Sequence, residues 1–335
     1  MRNSSFLLDG RDRIVRYLRL SITDRCNLNC VYCRGVDHPE YVPCERLLRY
    51  EHMLRFARIV KNMGVNKIRL TGGEPLARKD WEIFMGRLRD EFPDMALALT
   101  TNGVLLGPHI ETLKKIRPVS VNVSLDSFDE KRYRLLTGHN ALSTVKENIF
   151  TLLDSGIRVK INAVAIKGST DAEMDAFVKF AMERPVDVRF IEFMPMGRGT
   201  IWNNENFLSA ARLLELAGER AKLTPSKSSA SDSGPARMYD LEGGVGRIGF
   251  ISAVTSHFCA SCNRLRLTSE GDLRTCLFDD RVFRLAGALR NPKVSDEKIA
   301  AIVRIACQSK AVGANLLAER KESAVAKDKM RGIGG

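Results

Sequence analysis

The chain has 335 residues, 44% of them apolar, enough to bury the core of one large or two ordinary domains without disulfide staples. Lysine and arginine exceed aspartate and glutamate by 53 to 40, and the net charge of +13 favours a polyanionic partner. No block of like charge stands out, and two tryptophans and six tyrosines offer little for base stacking, so a nucleic-acid partner is not expected.

Met1 to Arg13 is polar, with no apolar run long enough for a signal peptide or a membrane span, which predicts a cytoplasmic protein with no membrane partner. From Arg16 to Glu192, short β-rich runs alternate with helix-period segments, the pattern of βα units around a parallel sheet. Strands are predicted over Tyr17 to Thr23, Lys67 to Thr71, Ala96 to Thr100, Ser120 to Leu125, Arg158 to Ala165 and Val186 to Phe193. Helices are predicted over Leu47 to Met63, Trp81 to Phe92, Ile110 to Ile116, Leu142 to Asp154 and Ala172 to Glu183. Six units fall short of the eight that close a barrel. The predicted fold class is therefore α/β, an incomplete (βα)6 TIM-type barrel.

A helix near Leu208 to Ala217 precedes Ser226 to Pro235, a serine-rich stretch that reads as a loop or domain junction. The expected division is 1–220 for the partial barrel and 221–335 for a smaller C-terminal α+β domain closing the open side. That second part holds a glycine-punctuated β region (Met238 to Val254), a hairpin turning at Ser269 to Asp272, and helices from Val282 to Gln308. Gly332-Ile333-Gly334-Gly335 reads on composition as a frayed tail.

The cysteines carry the chemistry. Cys26, Cys30 and Cys33 follow the first strand at spacings of x3 and x2, and Cys259, Cys262 and Cys276 form a second trio. A four-iron cube takes four thiolates, so three leave one iron open to a small molecule. The rival is two closed zinc sites, with Cys44 completing the first and Cys307 the second, in a basic protein that binds nucleic acid. Cys44 and Cys307 both fall in apolar-periodic stretches, however, and read as small core residues on helices.

Unusual residues recur where the strands end, the edge at which βα folds bind ligands. They are Thr71-Gly72-Gly73-Glu74-Pro75, Thr100-Thr101-Asn102-Gly103, Ser124-Leu125-Asp126 and Met194-Pro195. Within the strands, Arg19, Arg69, Lys160 and Arg189 each interrupt an apolar run. Helices cover the outside of a parallel sheet, so these cations are expected to point inward, where a phosphate chain would neutralise them. Arg264 and Arg266 lie on one face of a strand leaving Cys262, and their planar forks suit phosphate or nucleobase acceptors.

Cys26-x3-Cys30-x2-Cys33, with Tyr32 and Gly72-Gly73-Glu74-Pro75, resembles the radical S-adenosylmethionine (SAM) superfamily. More narrowly, Leu18-Arg19-Leu20-Ser21, Thr23-Asp24-Arg25-Cys26, Asn122-Val123-Ser124, Arg189 to Met194, the second trio and Gly334-Gly335 are similar to the GTP 3′,8-cyclase family of molybdenum cofactor biosynthesis. The resemblance implies two [4Fe-4S] clusters, held by Cys26, Cys30 and Cys33 and by Cys259, Cys262 and Cys276. It implies SAM lined by Tyr32, Gly73, Ser124 and Met194. It implies GTP held by Arg19, Arg69, Thr100, Lys160, Arg189, Arg264, Leu265 and Arg266, with Arg264, Arg266 and the tail glycines Gly334 and Gly335 serving catalysis. A 5′-deoxyadenosyl radical would take hydrogen from ribose C3′, and the sugar radical would add to guanine C8. An electron donor and a downstream pterin-forming enzyme would be partners, and a homodimer is compatible with this reading. The competing reading is another radical SAM enzyme with an auxiliary cluster, acting on a peptide or a different nucleotide.

Overall fold

The computed structural model describes residues 6–34, 41–197, 200–227, 234–319 and 330–334. Six strands, β1 (Tyr17–Ser21), β2 (Lys67–Thr71), β3 (Ala96–Thr101), β4 (Ser120–Ser124), β5 (Val159–Ala165) and β6 (Asp187–Glu192), pair in parallel in chain order. The helices between them are α1 (Val31–Arg34), α2 (Tyr50–Lys61), α3 (Trp81–Glu91), α4 (Ile110–Ile116), α5 (Glu130–Thr137), α6 (Leu142–Asp154) and α7 (Met174–Glu183). Then come α8 (Ala210–Gly218), β7 (Leu223–Pro225), β8 (Arg237–Leu241), β9 (Arg247–Ile251), β10 (Arg264–Leu267), β11 (Asp272–Arg274) and β12 (Phe283–Arg284). Helices α9 (Ala286–Arg290), α10 (Asp296–Gln308), α11 (Gly313–Glu319) and α12 (Met330–Ile333) complete the chain.

The later strands extend the same sheet at both ends. β9 pairs in parallel with β6 and β10 in parallel with β1, so eight parallel strands run β10-β1-β2-β3-β4-β5-β6-β9, with antiparallel β11-β12 and β8-β7 outside them. The C-terminal region thus continues the barrel wall.

Strand alternation decides what faces where. Each of the eight parallel strands buries two apolar residues flanking a central one: Leu18 and Leu20, Ile68 and Leu70, Leu97 and Leu99, Val121 and Val123, Val159 and Ile161, Val188 and Phe190, Ile248 and Phe250, Leu265 and Leu267. These sixteen belong to the same apolar core as the buried faces of α2, α3, α6 and α7. The residues between them, Arg19, Arg69, Ala98, Asn122, Lys160, Arg189, Gly249 and Arg266, must face the other way. Five of the eight are cations.

Three expectations are corrected. Cys44 is exposed at the start of a short 3-10 turn, Cys44–Arg46, rather than packed in a core. The tail is not frayed, because Ile333 is buried against Met196 and Phe278 and draws α12 and Gly334 with it. The first part of the helical stretch expected after Val282 forms β12 instead. Cys307 does lie buried in α10. The loop expected at Ser226 to Pro235 falls largely outside the described residues. No helix among the described residues is long and apolar enough to cross a membrane.

Candidate active site

The loop after β1, carrying Cys26, Cys30 and Cys33, lies directly on the loop after β2. The backbone N–H of Gly73 donates to Thr23 O (2.7 Å) and that of Glu74 to Arg25 O (2.7 Å). A Cβ on Gly72 would stand 2.3 Å from Thr23 O and one on Gly73 2.2 Å from Arg25 O, so only glycine permits this approach. Glu74 is completely buried and accepts from Leu76 N (3.0 Å), Thr101 Oγ1 (2.8 Å) and Asn102 N (2.7 Å). Asn102 in turn donates to Asn27 Oδ1 (2.7 Å). Three successive rim loops are locked together around Cys26. Across the opening, Tyr32 donates to Asp126 Oδ2 (2.5 Å), and Asp126 Oδ1 accepts from Val164 N (2.8 Å). Burial pushes the Asp126 carboxyl up to about 6.

The second trio lies at the opposite end of the barrel. Cys262 stands two residues before β10, which runs parallel to β1, and Cys276 follows β11, which runs antiparallel to β10. Both positions belong to the end where the parallel strands begin, whereas Cys26, Cys30 and Cys33 lie where β1 ends. Four residue steps along β1 separate the two levels by about 13 Å.

One cavity of about 340 Å³ is lined by all six of these cysteines. Its wall also includes Arg19, Lys67, Arg69, Lys160, Arg189, Arg264 and Arg266, with Tyr17, Tyr32, Gly73, Thr100, Asn122, Ser124, Asp126 and Met194. The cations are fixed in place. Arg69 donates to Tyr17 Oη (2.6 Å), Leu99 O (2.8 Å), Thr100 Oγ1 (3.3 Å) and Ser120 Oγ (3.4 Å). Arg189 Nη2 donates to Asn162 Oδ1 (2.6 Å), while Lys160 stands 3.8 Å from Asp187, a carboxylate shared with Arg158 and Arg247. Arg189 Nε and Asn122 Oδ1 are buried without a hydrogen-bond partner among the described residues, as expected of groups awaiting a polar ligand.

Burial and neighbouring cations perturb several ionisations here. Burial, with Arg189 and Arg158 alongside, pulls Lys160 down to about 7. Burial and Arg69 lower Arg189 to about 9, burial lowers Arg19 to about 10, and burial holds Arg266 well below its ordinary value. For Tyr17, burial alone would raise the phenol, but Arg69, Arg19 and Lys67 bring it down to about 7.

The tail closes the space between the levels. Gly334 O accepts from Arg266 Nη1 (2.9 Å) and Arg19 Nε (3.2 Å), so the carbonyl sits on two of the cavity's guanidinium groups.

The donor sets suit iron–sulfur cubes. Burial raises the Cys30 thiol, and Asp126, Cys33 and Cys26 add to the effect, so a cation among the three sulfurs would favour the thiolate. In the second trio, burial raises Cys276 and its neighbours Cys262 and Cys259 raise it further, while Arg264 and Lys310 override burial at Cys262 and bring it to about 6. Among the described residues, no three Cys, His, Asp or Glu side chains converge on a point that one ion could occupy. A cube accepts its thiolates on separate irons and spreads them wider than a tetrahedral zinc does. Cys44 contacts Arg25 and Cys307 lies in the apolar core, so neither completes a trio. Among the described residues, no closed zinc site is formed.

The Leu265 side chain turns away from the cavity. It is completely buried on the opposite face of β10, in the apolar core, because alternation that turns Arg264 and Arg266 inward turns it outward. Gly335 lies outside the described residues. Tyr17, Lys67 and Asn122 were not anticipated, although each shares strand parity with an anticipated residue: Tyr17 with Arg19, Lys67 with Arg69, and Asn122 with Ser124.

Residues 20–181 match the family described as Radical SAM superfamily, and residues 186–316 the one described as Molybdenum Cofactor Synthesis C. GTP 3′,8-cyclase of Syntrophomonas wolfei is 43% identical over 88% of this chain and 90% of its own length. That of Alkaliphilus oremlandii is 36% identical over 94% and 96%. SuiB of Streptococcus suis, solved bound to S-adenosylmethionine, covers 96% of this chain and 78% of its own with a TM-score of 0.61 at 16% identity, a likeness of fold. The chain, with two three-cysteine sites on one cation-lined cavity, belongs to the GTP 3′,8-cyclase family of the radical SAM superfamily.

Proposed function

We propose that this chain converts GTP to (8S)-3′,8-cyclo-7,8-dihydroguanosine 5′-triphosphate, the first step of molybdenum cofactor synthesis. The observation that carries the reading is one cavity with an incomplete thiolate set at each end and cations between them. Cys26, Cys30 and Cys33 would hold one [4Fe-4S] cluster, Cys259, Cys262 and Cys276 another. SAM would lie against Tyr32, Gly73, Ser124 and Met194. When bound, these groups supply one-electron reduction of SAM and, from it, a radical that abstracts hydrogen.

The chain's own residues supply position and charge. Arg19, Arg69, Lys160 and Arg189 would neutralise the triphosphate, at cations already ordered by Tyr17, Leu99, Asn162 and Asp187 so that little reorganisation is needed. Arg264 and Arg266 would orient the purine and the developing charge around it, with Gly334 O fixing the Arg266 fork. Held at both ends, the ribose presents C3′ to its own base, an arrangement in which proximity supplies much of the rate. The barrel wall and the tail keep water from the reacting carbons. The reaction requires an electron donor and an enzyme that consumes the cyclic nucleotide.

The test uses GTP deuterated at C3′, with SAM and a reductant under anaerobic conditions. Deuterium should appear in 5′-deoxyadenosine alongside the cyclised nucleotide; SAM cleavage without deuterium transfer would overturn the reading.

GTP binding should take up protons. Above pH 7 Tyr17 becomes anionic and Lys160 neutral, and both changes remove positive charge from the cavity. A bound triphosphate favours the protonated form of each group, so affinity should fall as pH rises from 7 to 8. Calorimetry at pH 8 in buffers of different ionisation enthalpy should show net uptake, diminished in Tyr17→Phe. Equal uptake in the parent and this variant would remove Tyr17 from the account.

A further inference from the structure

Behind the second cysteine loop lies a knot of charge that the reaction above does not use. Asp9 sits in a turn closed by the bridge between Leu8 and Ile14, and its side chain is fully buried. It accepts from the backbone N–H of Arg11 (3.0 Å) and Arg13 (3.2 Å) and from Arg13 Nε (2.8 Å), with Lys310 Nζ 3.9 Å away. Arg13 Nη1 donates to the carbonyl of Cys259. Lys310, whose side chain is also almost fully buried, donates to the carbonyls of Cys262 (3.1 Å) and Arg264 (3.0 Å). One carboxylate therefore anchors two cations, and those cations grip the backbone of two ligand-bearing residues.

The loop needs such a grip. No residue from Val254 to Asn263 is buried, and the segment's apolar hold is the partly buried Phe258 against Ala236, Met238 and Ile251. Burying two cations on one carboxylate is a costly way merely to stabilise a fold, since apolar side chains of similar volume usually do it as well or better. The knot also leaves one positive charge uncompensated next to the site. Arg13 Nη2 is buried with no partner among the described residues, leaving a donor over beside Cys259.

We propose that Asp9, Arg13 and Lys310 form a clamp that holds the second cysteine loop in its ligating shape and, through its surplus positive charge, makes the cluster bound there easier to reduce. The proposal rests on the two-cluster reading. The three are positioning residues, acting through backbone carbonyls and charge.

The test uses the full chain with Cys26, Cys30 and Cys33 replaced by Ser, so that only the second cluster is observed. Reconstituted anaerobically, this parent should bind about four irons; failure to bind iron while remaining folded would overturn the two-cluster reading itself. In that background Lys310→Gln keeps a donor and loses the charge, Lys310→Arg keeps the charge, and Asp9→Asn removes the compensating carboxylate. The midpoint potential should move negative in Lys310→Gln, stay near the parent in Lys310→Arg, and move positive in Asp9→Asn. Iron release to a chelator should quicken roughly tenfold to a hundredfold in Lys310→Gln and Asp9→Asn, the usual scale for a residue supporting metal ligands. If Lys310→Gln does not fold, the positive shift in Asp9→Asn carries the test alone. Iron-loaded variants with unmoved potentials, or with shifts of one sign that follow only the loss of thermal stability, would overturn the clamp.

Discussion

Cys26→Ser should abolish SAM cleavage and cyclisation together, whereas Cys259→Ser should retain part of the SAM cleavage and lose cyclisation. The division follows from the two levels of the barrel. Cys26 shares the rim with Tyr32, Gly73 and Asp126, and its loop is stitched to Thr101 and Asn102 through Glu74. Cys259 lies at the other end of the strands, beside Arg264 and Arg266. Loss of a thiolate at the rim removes the group on which the first chemical step depends, a deficit of roughly 10⁴-fold or more. Loss at the floor leaves that step available but frees the purine, so abstraction loses its aim. Chromatographic counts of 5′-deoxyadenosine and of cyclised nucleotide, from the same anaerobic reactions, check both halves. Equal retention of cyclisation in the two variants would remove the distinction between the sites.

Gly334→Val should lower kcat/KM for GTP by on the order of 10²-fold, the scale of a misplacement of about 1 Å at a reacting centre. Gly334 has φ +74, the left-handed region, where a non-glycine residue costs about 1–2 kcal/mol. A Cβ there would also stand 2.6 Å from Thr71 Oγ1 and 2.9 Å from Ser21 Cβ, so the tail must withdraw. Withdrawal takes away the carbonyl that accepts from both Arg19 and Arg266. The two guanidinium groups then repel one another without a shared acceptor and lose their fixed aim. Deleting Gly334 and Gly335 should have the same effect, because Ile333 still anchors α12 against Met196 and Phe278. The melting temperature should stay within a few degrees of the parent, since a glycine has no side chain to bury. Full activity in the truncated protein would reduce the tail to packing.

The sequence specified the barrel well where local and global signals agree. The runs at Lys67 to Thr71 and Ile110 to Ile116 have the predicted ends because turn residues bound short apolar periods. Helix α5 was not legible by periodicity, since Glu130 to Leu136 is mostly charged. Its signals are the ends: Asp129 accepts from Arg132 N as the N-cap and Gly138 stops it in the left-handed region. The inward cations were legible from parity alone, because helices leave no room for charge on the outer face. Placing β9 against β6 and β10 against β1 depends on contacts across long stretches of chain, which no local pattern encodes. The direction of β10 sets the opposed levels of the two cysteine trios. Tail composition misled because four residues rich in glycine outweigh one isoleucine in a count, whereas a single buried isoleucine suffices to dock a short segment.

The most direct measurement is electron paramagnetic resonance of two reduced variants, each retaining one cysteine trio and carrying Ser at the other three positions. The variant with Cys26, Cys30 and Cys33 should change its spectrum on adding SAM and not on adding GTP, and the variant with Cys259, Cys262 and Cys276 should do the reverse. Spectra indifferent to both ligands, or proteins that load zinc in place of iron, would contradict the placement of two open clusters on one cavity.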